Sequence, residues 1–183
     1  DLERLAEIGF THHLQYMADY PRVWAAGEPT ASQNSERAAR TAESLNEHLA
    51  HGVRAVVYLY PGRWVERQDD LRRFLRVDRA GNPYERHNVS ASFPEVREYA
   101  YNVGASVAET FGHFPALSAS LIHSEIRDGT RISFHPHERD ACRDALGFPI
   151  PEQATSKRGV HYRRLPDFPL DRVIADDDPL LRF

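Results

Sequence analysis

Apolar residues recur at helical spacing in four segments of the chain. Each segment is bounded by residues that commonly start or end helices, with Asn34 or Ser35 and Pro94 at starts, and Gly9, Gly52 and Gly147 at ends. The pattern therefore predicts helices over residues 1–8, 35–49, 94–111 and 138–146.

Three other segments have the composition of strands. Residues 53–60 form a nearly unbroken apolar run, which is typical of a strand covered on both faces, and residues 11–17 and 118–126 are the other two. We predict a long loop over 21–33, a turn at Pro61-Gly62, and a hairpin-like insert at 78–84 within an irregular stretch. Strands that alternate with helices indicate an α/β fold with a parallel sheet.

Composition narrows the function classes. The 183 residues include 23 basic and 27 acidic side chains, a net charge of −4, which excludes a basic nucleic-acid scaffold. No apolar stretch approaches the roughly 20 residues that cross a bilayer, and a single cysteine excludes an internal disulfide. No signal peptide is visible at the start of the sequence. We expect a soluble protein, with the cytoplasm favoured, that binds neither nucleic acid nor membrane.

The two ends of the sequence suggest a larger parent domain. A helix precedes the first strand without a partner strand of its own, and Asp176–Pro179 has the pattern of a helix start four residues before Phe183. We expect residues 1–183 to form a single domain that is a fragment of a longer α/β protein. A complete three-stranded domain is the alternative.

Candidate chemistry lies where the strands end, because ligands of parallel α/β folds bind outside the carboxyl ends of the strands. The third strand ends in the sequence His123-Ser124-Glu125, with Arg127 and Asp128 close behind. A partly desolvated carboxylate at this place has a raised pKa, which suits Glu125 to general acid catalysis. The bare sequence equally allows a structural ion pair of Glu125 with Arg127 or Arg131.

Aromatic residues gather at the predicted ends of the first two strands. Flat rings there would stack on sugars, although packing into the core is the commoner fate of any single ring. The residues concerned are Tyr16, Tyr20, Trp24, Tyr58, Tyr60 and Trp64. We predict substrate contacts from Tyr16, Trp24, Tyr60, Trp64, His123, Ser124, Arg127 and Asp128.

Histidines offer a second kind of site. His135 and His137 have a spacing that metals use, and His123 lies nearby in the sequence. A metal-dependent barrel hydrolase is therefore an alternative, but the chain has 10 histidines, so that proximity is expected by chance. Our main prediction includes no metal and no cofactor.

With its third strand reading Leu121-Ile122-His123-Ser124-Glu125, the chain resembles the front part of a clan A glycoside hydrolase of the β-galactosidase-like type. The resemblance implies a (β/α)8 barrel, of which the three visible strands would be strands two, three and four. It implies retaining hydrolysis of a carbohydrate by two carboxylates, with Glu125 as general acid/base. The nucleophile would lie beyond Phe183 in the remainder of the same barrel, so the isolated chain should be inactive.

This chain departs from the family pattern at one position. The acid/base glutamate of that clan commonly follows an asparagine that contacts the sugar 2-hydroxyl, whereas this chain has Ser124. The departure leaves the subfamily and the sugar open. A sugar-binding or interaction domain without catalysis is the other alternative.

Overall fold

The computed structural model describes residues 1–31, 35–85, 89–122 and 132–150, together with the backbone of 154–155 and 159–160. Helices and strands alternate through most of this length. In chain order they are α1 (Leu2–Glu7), β1 (His12–Gln15), α2 (Tyr20–Ala26), α3 (Glu36–Ala50), β2 (Arg54–Leu59), α4 (Pro61–Glu66), a 3₁₀ helix (Asp69–Phe74), α5 (Pro94–Phe111), β3 (Leu117–Ile122), α6 (Pro136–Leu146), β4 (Ala154–Thr155) and β5 (Gly159–Val160).

The main sheet is parallel, with β2 between β1 and β3. Gln15 pairs with Val57, and Leu59 pairs with Ile122. Helix α3 connects β1 to β2, and α5 lies between β2 and β3 along the chain. This arrangement confirms the predicted α/β class and the parallel sheet.

The two faces of this sheet differ in burial. Along β2, Ala55, Val57 and Leu59 are buried on one face, whereas Val56 and Tyr58 on the other face are half-buried. Leu14 in β1 pairs with Val56 and is 46% exposed. Within β2, therefore, the residues of only one face are buried, although the apolar run predicted burial on both.

The chain separates into two compact units. One comprises Asp1–Trp64 and Arg97–Glu125, and the other comprises Val65–Val96 and Ile126–Phe183. The first unit holds the main sheet, with Leu45, Val53 and Val103 fully buried in its core. Phe74 is fully buried in the second unit, where its ring packs edge-on against Phe93. The single domain over 1–183 stays a prediction.

The hairpin-like insert is confirmed in the second unit. Antiparallel bridges join Val77 to Pro83 and Leu75 to Val89. The Asp78 carboxylate accepts the N–H groups of Ala80 and Asn82, each at 2.9 Å, and Gly81 has a φ of +86° that a residue with a side chain rarely adopts. The side chain thus closes the turn together with backbone hydrogen bonds, such as the one that the N–H of Asp78 donates to the carbonyl of Asn82 at 2.9 Å.

Two predictions about loops were wrong. The segment expected to be a loop over 21–33 begins with α2, which Asp19 caps by accepting the N–H of Arg22, and which ends at Gly27 in the left-handed conformation. The expected turn at Pro61-Gly62 is instead the start of α4. Proline fits the first turn of a helix because its missing N–H has no partner there.

The predicted first strand is longer than the observed one, since Tyr16 and Met17 lie beyond the end of β1. The last four residues of the predicted third strand and the expected helix start at Asp176 lie outside the described residues. Within the part that is described, no helix has the length and hydropathy needed to cross a membrane.

Candidate functional site

The carboxyl ends of the three parallel strands define one edge of the main sheet. β1 ends at Gln15, β2 at Leu59 and β3 at Ile122. Residues that follow strand ends in such a sheet converge there, which makes this edge the usual place for a ligand in an α/β fold. The aromatic groups, the cavity and the cleft described next all lie within the first unit.

Three tyrosines line this edge. The rings of Tyr16 and Tyr58 meet edge to face with centroids 5.6 Å apart, and those of Tyr58 and Tyr60 do so at 6.2 Å. Such geometry is favourable because the positive ring edge meets the negative ring face. Tyr16 remains 72% exposed. The edge thus presents an aromatic ring to solvent that its neighbours hold in place.

Trp24 and Trp64 form a second aromatic group with Tyr99. Their ring centroids are 5.8 Å apart, and Tyr99 lies 4.9 Å from Trp24 and 5.7 Å from Trp64. Both indoles are half-buried, whereas Tyr99 is buried. Much of each indole surface is used to pack α2 and α4 against α5. The predicted sugar contacts of Trp24 and Trp64 stay predictions.

Two phenols in this region ionise less readily than exposed tyrosines. Burial raises the pKa of Tyr99 far above its ordinary value, and burial likewise raises the pKa of Tyr20. Tyr99 donates from Oη to the carbonyl of Tyr20 at 3.4 Å, and Tyr20 Oη accepts the N–H of Tyr60 at 2.9 Å. These phenols position α2 beside the end of β2.

A small cavity lies behind this edge, between the end of β1, α3 and α5. It has a volume of about 30 Å³ and is lined in part by Met17, Val23, Ala38 and Val107. Since one water needs roughly 10–15 Å³ on this measure, it can hold one or two waters. Sites for small molecules are about 300–1,000 Å³, so this cavity is too small for a sugar.

An open cleft of ligand size borders Tyr16. Its volume is about 350 Å³, and its wall includes Tyr16, Arg37, Arg40 and Thr41. Arg37 donates from Nη2 to the carbonyl of Ala18 at 2.7 Å, which ties α3 to the segment after β1. Sequence reasoning missed these polar residues of α3. Their i, i+3, i+4 spacing was the signal that could have shown that they share a face.

The predicted catalytic residue and four of the predicted substrate contacts belong to the part of the chain that the structure does not describe. His123, Ser124, Glu125, Arg127 and Asp128 all lie outside the described residues. Of the predicted substrate contacts, the structure brings Tyr16 and Tyr60 to the carboxyl edge on either side of Tyr58. It places Trp24 and Trp64 together in the second aromatic group.

Two of the three histidines of the metal alternative, His135 and His137, have structural contacts in the second unit, and the third, His123, lies outside the described residues. His135 caps α6, because its Nδ1 accepts the N–H of His137 at 3.2 Å. The His137 ring stacks on Phe93 with centroids 4.3 Å apart, and its Nε2 donates to the carbonyl of Ser92 at 3.2 Å. In the described ranges, no group of three or more His, Cys, Asp or Glu residues could hold a metal ion.

No protein-family model matches the chain, and neither a curated protein nor a solved structure matches it.

Proposed function

We propose that this chain is part of the catalytic domain of a retaining glycoside hydrolase of the (β/α)8 barrel type. Glu125 would be the general acid/base, and the nucleophile would come from outside this chain. The observation that supports the proposal best is the exposed ring of Tyr16, held by Tyr58 beside Tyr60 at the carboxyl edge of a parallel sheet.

The chemistry of this edge suits a carbohydrate. The C–H groups on one face of a pyranose ring pack against aromatic rings, and phenol hydroxyls can exchange hydrogen bonds with sugar hydroxyls. Tyr16 offers both a ring and a hydroxyl to solvent, next to a cleft of about 350 Å³. That volume falls within the range of small-molecule sites.

The uneven burial of the sheet supports the barrel. The half-buried face contains Val56 and Tyr58, and Leu14 beside them is 46% exposed. Parallel sheets are usually covered on both faces, and in a (β/α)8 barrel the inner face is packed by side chains from the other strands. In our proposal the remainder of the barrel covers this face.

The role of Glu125 follows from its place in the sequence. It comes three residues after Ile122, the last residue of β3. As general acid it would protonate the glycosidic oxygen of the leaving group, and as general base it would then take a proton from the attacking water. The second carboxylate would stand about 5 Å away, the separation of retaining enzymes.

Sugar binding at the tyrosine edge can be tested on the chain alone. We would record saturation-transfer NMR spectra with a panel of neutral oligosaccharides. Tyr16→Ala should abolish the signal, whereas Tyr101→Ala, a control at a tyrosine on α5 that is 73% exposed, should retain it. If no sugar gives a signal that depends on Tyr16, the proposal fails.

Catalysis is tested in the full-length protein that contains this chain. Glu125→Gln should lower the hydrolysis of aryl glycosides by roughly 10²–10⁴-fold, the usual contribution of a general acid/base. Glu109→Gln, at an exposed glutamate of α5, is the matched control. If Glu125→Gln still binds sugar and its turnover is unchanged, Glu125 is not the general acid/base.

A further inference from the structure

Two histidines and a glutamine meet between β1 and α3 in the first unit. The Nδ1 atom of His13 lies 3.1 Å from the Nε2 atom of His48. The amide nitrogen of Gln15 lies 2.9 Å from the first of these atoms and 3.3 Å from the second. The proposed function uses none of the three side chains.

The hydrogen bonds show which ring atoms carry protons. His48 is only 1% exposed, and its Nδ1 donates to the carbonyl of Ser44 at 2.7 Å, so the Nε2 atom of the neutral ring is a lone pair. The Gln15 amide nitrogen can only donate, which makes Nδ1 of His13 a lone pair as well. Two imidazole lone pairs therefore converge at one point.

The amide of Gln15 can supply a third ligand there. Its oxygen and nitrogen have nearly the same shape, and a half-turn of the amide exchanges their positions. On metal binding the amide would make this turn and give up the two hydrogen bonds that it donates, because the ion then takes both ring lone pairs. The three atoms then form a triangle with sides of 2.9, 3.1 and 3.3 Å. The edge of a tetrahedron around Zn²⁺ is about 3.4 Å for bonds of about 2.1 Å, so the triangle is close to one face of a zinc tetrahedron.

The surroundings have two further properties of metal sites. A ligating histidine usually donates its other ring N–H to a carbonyl or carboxylate, as His48 does to Ser44. An open cleft of about 380 Å³ adjoins the cluster, and its lining includes Glu47 and His51. This cleft gives a path for the ion and room for a water as fourth ligand.

We propose that His13, His48 and Gln15 bind a divalent transition-metal ion, with Zn²⁺ as a good fit to the two imidazoles and to the size of the triangle, and with the amide oxygen of Gln15 as the weaker third ligand. The ion would link β1 to α3, whose contributing residues His13 and His48 are 35 positions apart in the sequence. Because it binds the folded chain, it would also stabilise the first unit.

The first experiment is a calorimetric titration of the whole chain with ZnCl₂. We expect one stoichiometric site. His13→Ala should weaken it more than about 100-fold, beyond the 10–100-fold typical of losing an outer-shell partner. His12→Ala, at the exposed neighbouring imidazole, should leave affinity unchanged. Absence of stoichiometric binding, or equal affinity in His12→Ala and His13→Ala, would overturn the proposal.

A second series tests Gln15 and does not depend on the folding of His13→Ala. Affinity for Zn²⁺ should increase in the order Gln15→Leu, wild type, Gln15→Glu, because the ligand changes from none to a neutral oxygen to an anionic one. Co²⁺ should give the intense visible absorption of tetrahedral coordination in the wild type and lose it in Gln15→Leu. The same affinity in all three proteins would show that Gln15 is only a hydrogen-bond donor.

Discussion

The phenol oxygen of Tyr20 accepts the backbone N–H of Tyr60 at 2.9 Å. Tyr20 is the first residue of α2, and Tyr60 immediately follows β2, so this hydrogen bond joins two segments 40 positions apart at the carboxyl edge of the sheet. Burial raises the pKa of Tyr20 above its ordinary 10.0, so its hydroxyl stays protonated to a higher pH than that of an exposed phenol. The edge that presents Tyr16 is therefore braced by a second tyrosine.

Removal of this hydroxyl should destabilise the first unit. We expect Tyr20→Phe to lower its free energy of unfolding by about 1–2 kcal/mol, because the Tyr60 amide loses a partly buried partner. Both tryptophans, Trp24 and Trp64, lie in this unit, so tryptophan fluorescence during urea denaturation reports on it. The exposed Tyr101→Phe should change stability by less than about 0.5 kcal/mol. Equal losses in the two variants would contradict the assigned role.

Two leucines on α3 provide a matched pair for the core. Leu45 is 1% exposed, whereas Leu49, one turn later, is 52% exposed. Leu45→Ala should cost about 2–5 kcal/mol through lost burial and the cavity that remains, and Leu49→Ala less than about 1 kcal/mol. Urea denaturation followed by tryptophan fluorescence measures both. A loss in Leu49→Ala as large as that in Leu45→Ala would mean that Leu49 is covered in solution.

The sequence predicted the long elements well because their signals are local. Apolar residues at helical spacing and a capping serine predicted α3, which runs from Glu36 to Ala50 with Ser35 as its cap. The apolar run before Pro61 likewise predicted β2. In α3 the periodic residues Ala38 and Leu45 are buried, although Leu49 is 52% exposed. In β2 the run has no period, and alternate residues of it are buried.

The short helices α2 and α4 escaped prediction for a physical reason. Helices of six or seven residues are unstable alone and depend on tertiary packing. Here that packing joins Trp24, Trp64 and Tyr99, residues far apart in the sequence. No local pattern contains this contact.

The candidate site likewise combines features that a local sequence pattern predicts with contacts that no local pattern predicts. The location of Tyr16 and Tyr60 at the carboxyl ends of their strands could be predicted, because a strand end is a local feature, although both residues lie just beyond the observed strands. The contact of His13 with His48 could not be predicted, because the two residues are 35 positions apart in the sequence. A histidine on the buried stripe of α3, three residues after Leu45, was the one signal that His48 meets a polar partner.

In the second unit, Ser90 donates from its hydroxyl to Oε1 of Glu138. The other carboxylate oxygen, Oε2, is buried without a hydrogen-bond partner among the described residues. Ser90→Ala should therefore lower the stability of this unit by about 1.5–3 kcal/mol, the range for hydrogen bonds to charged groups. Hydrogen exchange of the amide of Ser90, which donates to the carbonyl of Phe74, measures the loss. Exchange of this amide at the wild-type rate in Ser90→Ala would contradict the prediction. The control variant is Ser120→Ala, because Ser120 is an exposed serine.

The turn closed by Asp78 should weaken in acid. The pKa of the Asp78 carboxyl lies below its ordinary 3.8, mainly because the backbone N–H of Asn82 donates to it. The side-chain amide of Asn82 and other backbone N–H groups lower this pKa further. A group with a lowered pKa stabilises the folded state above its unfolded pKa, and this contribution is lost as the pH falls through the folded pKa. A carboxyl-detected NMR titration should show Asp78 losing its charge at a lower pH in the chain than in a peptide of residues 76–85. After correction for the intrinsic pH dependence of exchange, the protection of the Asn82 amide should no longer vary with pH in the Asp78→Asn variant. Identical titration midpoints in chain and peptide would mean that the turn does not hold the carboxylate.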